Sequence, residues 1–194
     1  MILNLLKKRC SVRKFSDKEI SQETIDFILE AGRLSPSGGN EQPWKFGVID
    51  DKEIIHKISK IAYNQRWIAD AQLLIVLCAT VINDDGGGRD VQKARFPEID
   101  QTIKNMDEEI YSKLNLEEHQ TKIPGTHMVL AALEHDIGST WISYFNVEDL
   151  SDLLNLPEDI IPSEILAFGY PKKEMTPTEK KDKEKIVFYN IYED

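Results

Sequence analysis

Arg9, Ser11 and Arg13 form the densest anion-binding signal in the chain. In an extended segment, residues two apart point to the same side, so Ser11 and Arg13 share one face while Arg9 closes the preceding helix. One guanidinium can fork onto phosphate oxygens, the hydroxyl can add a donor, and the other arginine can reach a neighbouring carbonyl. The run KKRCSVRK (7–14) also suits a plain solvated basic patch. A second stretch with chemical potential is SPSGGNEQPW, residues 35–44. Gly38 and Gly39 admit positive φ and close approach to the main chain. Ser37, Asn40 and Gln42 add groups that donate and accept hydrogen bonds without charge. That mixture fits the edge of a heterocyclic ligand, and it equally fits a turn in which Pro43 and Trp44 begin a strand.

Other chemistries find little support. There is no nucleophile beside a base, no carboxylate dyad and no phosphate-binding loop, since GGGRD lacks the lysine and the strand-to-helix setting. DDGGGRD lacks carboxylates at alternate positions and makes a poor calcium loop. His56, His119, His127 and His135 have no ligand spacing with each other or with the two cysteines, so no metal is expected. Cys10 and Cys78 sit in unlike contexts and predict no disulfide. A formal net charge of −10 argues against nonspecific nucleic-acid binding and against docking on an anionic membrane. No apolar run reaches membrane-spanning length, and MILNLLKKRC has the wrong charge order for a signal peptide, so a cytoplasmic location is expected. An enzyme lacking acid–base machinery delegates its chemistry to a cofactor.

The elements that must position these groups follow from periodicity. Residues 2–9 read as a short helix. SDKE (16–19) and SQET (21–24) offer N-caps to a helix burying Ile25, Ile28, Leu29 and Gly32. WKFGVI (44–49) is a strand. Asp50 or Asp51 caps a helix with an Ile54, Ile58, Ile61 and Ala62 stripe. LLIVLCATVI (73–82) is apolar without alternation, a strand covered on both faces. NDDGGGRD (83–90) reads as a surface loop. Residues 98–115 read as an amphipathic helix through Ile99, Ile103, Met106 and Ile110, with Met106 and Tyr111 facing either a pocket or the core. A buried helix over 123–138 enters at Pro124 and ends at Gly138. TWISYF (140–145) and EILAFGYP (164–171) are strands around a helix at 147–156. This order predicts one domain, 1–194, with a central mixed sheet covered by helices. After the lysine-rich linker, IVFYNIY (186–192) needs an apolar surface, on its own domain or on another subunit.

In register, RCSVRKF (9–15), SPSGGNEQPWKF (35–46), WIADAQLLIVLCA (67–79), MVLAALEHDIGSTWIS (128–143), LAFGYP (166–171) and the basic tail before IVFYN resemble the nitroreductase family of FMN-dependent oxidoreductases. The resemblance spans nearly the whole chain. It implies an α+β fold with a mostly antiparallel central sheet, and a homodimer with FMN sites at the subunit interface. The C-terminal arm, 172–194, would be swapped onto the partner, and segment 83–122 would help to roof the substrate pocket.

Carried over by position, Arg9, Cys10 and Ser11 match the phosphate and ribityl site, and Arg13 matches the N1–C2 carbonyl side of the ring. Pro36, Ser37, Gly38 and Asn40 match the loop laid along the partner's flavin. Gly138, Ser139 and Thr140 match the stretch beside the ring. Lys180 or Lys181 matches a basic residue that completes the phosphate site, and Asn64 or Gln65 matches the pyrimidine edge. Cys10 departs from the arginine or histidine common there, and lysines at 180–181 replace a frequent arginine. The implied reaction is ping-pong: NADH or NADPH gives hydride to flavin N5, and a nitroaromatic, quinone or similar acceptor takes the electrons. No side chain need act as the catalytic acid. Reductive dehalogenation, enone reduction, flavin remodelling and a non-catalytic FMN-binding dimer are the alternatives on the same fold.

Overall fold

A computed structural model describes residues 2–80, 93–107, 110, 111 and 120–192. Within them, helix α1 (Ile2–Lys8) leads through an extended segment to α2 (Gln22–Arg33). Strand β1 (Trp44–Ile49), helix α3 (Lys52–Ile61) and strand β2 (Leu73–Thr80) follow. Then come α4 (Asp100–Lys104), α5 (Lys122–Glu134), β3 (Gly138–Ile142), α6 (Val147–Leu154) and β4 (Ile160–Gly169). The helix starts obey the capping chemistry of their sequences. Ser21 accepts from the Thr24 amide, Asp51 from the Glu53 and Ile54 amides, and Asn146 from the Asp149 amide. Each such cap contributes about 1 kcal/mol.

The described strands form one sheet in the order β1-β2-β4-β3, with every pairing antiparallel. The mixed sheet expected from the alternation of elements is therefore not what forms, whereas the antiparallel sheet implied by the family resemblance is. β2 is nonetheless buried from Leu73 to Ala79, because helices cover both faces. On one face α2 and α5 pack on Leu73, Ile75, Leu77, Leu166 and Phe168. On the other, α3, α6 and the 10–15 segment pack on Leu74, Val76, Cys78, Ile165 and Ala167. Burial pushes the Cys78 thiol up to about 12, which makes it an inert packing group.

Several boundaries differ from the sequence expectation: β3 runs over Gly138–Ile142 rather than 140–145, β4 over Ile160–Gly169 rather than 164–171, and α6 ends at Leu154 rather than 156. The helix expected over 98–115 is interrupted after Lys104, and Ile99 and Ile110 stay exposed while Ile103 and Tyr111 are buried. Asp107 explains the break, since its carboxylate accepts from the Ile110 amide and starts a new turn. Helix α5 ends at Glu134, with Asp136 taking the left-handed conformation at φ 57°. Gly138 is thus the first residue of β3 rather than a helix terminator. The loop expected at 83–90 lies outside the described residues.

Candidate functional site

The 9–15 segment is built into the edge of the sheet. Ser11 forms a parallel bridge with Ser139, the Val12 amide donates to the Ser139 carbonyl at 3.0 Å, and the Thr140 hydroxyl donates to the Val12 carbonyl. Gly138 makes this possible: a Cβ there would lie 2.5 Å from Val12 Cγ2 and 3.1 Å from Pro171. Val12 and Phe15 are buried, so the alternation of the extended chain turns Ser11 and Arg13 outward. Arg9 and Cys10 are half-buried beside them, at and just past the end of α1. Among the described residues no carboxylate pairs with Arg9 or Arg13. The Arg13 guanidinium lies 5.7 Å from the centre of the Trp67 ring, a cation–π contact that aims it along the α3 face.

Gly138, Ser139 and Thr140 are themselves buried; Ser139 and Thr140 bond Val12, and Gly138 leaves room for its side chain. Their side chains and main chain hold the Ser11–Arg13 segment. What faces outward is the chain just past β3, Ser143 and Tyr144. Gln65 donates from Nε2 to the Tyr144 carbonyl at 3.1 Å, and the Tyr63 and Tyr144 rings stack with centroids 4.1 Å apart. Tyr63 and Asn64 both have positive φ, at 52° and 60°, a conformation costly for a bulky residue and frequent at functional sites. Arg9, Cys10, Ser11, Arg13, Gln65 and the Ser143–Tyr144 corner thus follow the β3 edge, at or beside its two ends. The sequence reading missed Ser143 and Tyr144; WISYF offered them only as the end of a strand.

The SGGN loop stands elsewhere. Gly38 and its neighbours form a single 3-10 turn, with Gly39, Asn40 and Gln42 at φ 56°, 58° and 52°. Ser37 accepts from the Gln42 amide, the Gly38 amide donates to Gln120, and Ser35 bonds His127 Nδ1 at 2.7 Å. These partners put the loop on the α2–α5 face, where Trp44 pairs Ala79 and Ala79 pairs Ile161. Gly138 pairs Gly169 at the other end of the sheet, three strands away. Strand rise and spacing put these corners roughly 25–30 Å apart. Pro36, Gly38 and Asn40 are exposed and Ser37 is half-buried.

Lys180 and Lys181 are exposed on the arm, and among the described residues no bond ties them to Arg9. The arm leaves the sheet beside the segment, with the Lys172 amide donating to the Lys14 carbonyl. It ends in exposed apolar residues: Ile186, Phe188, Tyr189, Ile191 and Tyr192, with Tyr189 73% exposed. No helix among the described residues is long and apolar enough to cross a membrane. Nor do they contain a cluster of three or more metal-ligating side chains.

Residues 6–170 match the sequence model of the Nitroreductase family. A relative from Archaeoglobus fulgidus, named as an NADH dehydrogenase/NAD(P)H nitroreductase, is 31% identical over 176 residues, covering 89% of this chain and 86% of the relative. The fold matches a nitroreductase family protein from Clostridium difficile 630 with TM-score 0.75 and 29% identity, covering 99% of each chain. It also matches an FMN-dependent nitroreductase from Clostridium difficile R20291 with TM-score 0.74 and 25% identity, covering 97% of this chain and 99% of that one. The chain belongs to the Nitroreductase family and is an oxidoreductase of that fold.

Proposed function

We propose that the protein is an FMN-dependent NAD(P)H oxidoreductase acting as a homodimer on nitroaromatics, quinones or similar electron-poor acceptors. The observation that carries the reading is the β3 edge: two arginines without carboxylate partners among the described residues, beside a serine hydroxyl, in an acidic chain. This donor set fits the cofactor. Arg9 and Ser11 suit a phosphate and the first hydroxyls of a ribityl chain, with Lys180 or Lys181 as the added cation. Arg13, aimed by Trp67, suits a ring edge that gains negative charge on reduction. Gln65 suits the pyrimidine edge. When bound, FMN supplies hydride exchange at N5, taking electrons from NADH or NADPH and passing them to the acceptor.

Within this reaction the chain's own residues bind and orient. With FMN bound, Arg13 would set a positive charge beside the ring edge and so favour its reduction; no side chain here is needed as a proton donor. Gly138, Ser139 and Thr140 act one layer beneath by fixing the Ser11–Arg13 segment. Pro36, Ser37, Gly38 and Asn40 serve the other subunit's site, because they occupy the opposite face and corner of the sheet. The exposed apolar arm, and the edge of β1 that no described strand pairs, beside a groove that includes Leu29, Trp44 and Phe46, support an arm that packs on the partner.

The test is anaerobic. Purified yellow protein should bleach with NADH or NADPH and reoxidise with nitrofurazone or menadione. Flavin that neither nicotinamide reduces would leave only an FMN-binding dimer. Arg9→Ala with Arg13→Ala should abolish FMN retention, and a double variant that stays yellow contradicts the phosphate assignment.

A further inference from the structure

β4 carries a buried carboxylate that the proposed reaction does not use. Glu164 is 4% exposed and sits immediately after an irregularity in the sheet. Leu77 pairs Glu164 and Cys78 pairs Pro162, so Ser163 is an extra residue on β4, a bulge. Bulges of this kind re-aim neighbouring side chains and recur beside active sites. This one is stitched down: the Ser163 hydroxyl donates to the Leu77 carbonyl at 3.1 Å and shares a 2.6 Å bond with Thr121. The next residue, Lys122, begins α5 and places Nζ 3.3 Å from Glu164 Oε1. A lysine at a helix start works against the macrodipole, so its position is explained by the carboxylate rather than by the helix.

The second carboxylate oxygen, Oε2, accepts from the Ser143 hydroxyl at 2.5 Å. Ser143 is exposed just past β3, next to Tyr144, whose carbonyl Gln65 holds. Ser143 and Tyr144 project to opposite sides of the chain. The corner is therefore pinned from both faces of the sheet: by Glu164 through Ser143 on the α5 face, and by Gln65 on the α3 face. Burying a carboxylate is costly unless it is paired and hydrogen-bonded, and here both oxygens are engaged.

We propose that Glu164 is a positioning residue for the flavin site: through Ser143 it fixes the main chain at 143–144, and Lys122 keeps its charge balanced. The proposal rests on the reading that the flavin ring lies by Gln65 and this corner.

The test uses the full-length protein with FMN removed and added back. Flavin fluorescence would report affinity, and the visible spectrum and midpoint potential of the rebound cofactor would report its surroundings. Glu164→Gln keeps the shape and removes the charge; Ser143→Ala removes the linked hydroxyl; Ser143→Thr keeps it. A hydrogen bond to a charged group carries enough energy to change affinity about tenfold. Glu164→Gln and Ser143→Ala should each weaken FMN binding by about that factor, with the same spectral and potential shifts. The double variant should be no weaker than either single one, and Ser143→Thr should match the parent. Unchanged affinity, spectrum and potential in both single variants would overturn the proposal. So would losses that multiply in the double variant, or a fall in apoprotein melting temperature with cofactor properties unmoved. A parent protein that takes up no FMN would instead overturn the oxidoreductase reading itself, and this proposal with it.

Discussion

The 9–15 segment and the 35–43 loop are both short, polar connections next to helices, yet the fold treats them in opposite ways. The first is locked. Val12 and Phe15 enter the core, and main-chain and side-chain bonds tie the segment to β3 and to Lys172. The second is open. Its two ends are anchored, Ser35 to Ala31 and Gly32 of α2 and to His127, and Pro43 to the Thr80 amide. Between them the described bonds are internal or run to Gln120, and Gly39, Asn40 and Gln42 hold left-handed backbone in an exposed position. The segment that carries Arg9 and Arg13 is held in place by its own core residues, Val12 and Phe15. A loop that offers a shape is held open until something covers it, and the two stand on opposite faces of one sheet.

The sharpest way to break this comparison is a hybrid dimer. One protomer would carry Arg9→Ala with Arg13→Ala, and the other Ser37→Ala with Asn40→Ala. If each site takes its cations from one chain and its loop from the other, one site in the hybrid is intact and one is doubly broken. Half of the parental FMN should then be retained, measured as flavin per dimer. If each chain completes its own site, each site carries one defect and the flavin per dimer should be the mean of the two homodimers' values.

Gly138→Val addresses the locked side alone. The new side chain would start 2.5 Å from Val12 Cγ2 and 3.1 Å from Pro171, so the segment must move. Overpacking of this kind costs about 1–3 kcal/mol, which urea denaturation would resolve, and FMN affinity should fall with it. A variant of normal stability and normal affinity would show that β3 does not seat the segment.

Much of this was legible in the sequence because it rests on local rules. Ser21 and Asp51 announce their helices, the unbroken apolar run of β2 announces burial on both faces, and alternation places Val12 inward and Ser11 and Arg13 outward. Strand direction was not legible from pattern, since an antiparallel strand covered on both faces reads like a parallel one. Gly138 was read as a helix stop because glycine commonly ends helices, but the reason for it is a tertiary contact with Val12, more than a hundred residues away. Glu164 left no signal either. A carboxylate between Ser163 and Ile165 reads as the solvent side of a strand until the bulge, Lys122 and Ser143 meet around it. The site residues chosen by resemblance differ in burial: Ser11 and Arg13 stand at the surface beside the sheet edge and Arg9 is half-buried, whereas Ser139 and Thr140 are buried and bonded to Val12.

On the open side the expected effects are smaller. Gly39→Ala puts a side chain on a left-handed residue, where the conformational cost is about 1 kcal/mol. Its Cβ would meet nothing nearer than the Glu41 side chain at 3.6 Å. Stability should fall less than in Gly138→Val, and a larger fall would mean the loop is packed rather than open.

Smallest of all is the ion pair in the last turn before the loop, Arg33 with Glu30 at 2.6 Å. The hydrogen bond from Arg33 holds the Glu30 carboxyl below its ordinary value of 4.5. A depressed carboxylate stabilises the fold above its unfolded value, and that contribution fades as the pH drops through the folded one. Both groups are exposed, so screening leaves little of it. Glu30→Gln should therefore leave the melting temperature at neutral pH unchanged within error, and should leave flavin affinity unchanged as well. A clear loss of FMN from this variant would mean that the end of α2 steers the loop into its partner's site, and that the open side of the molecule is not as independent as its bonds indicate.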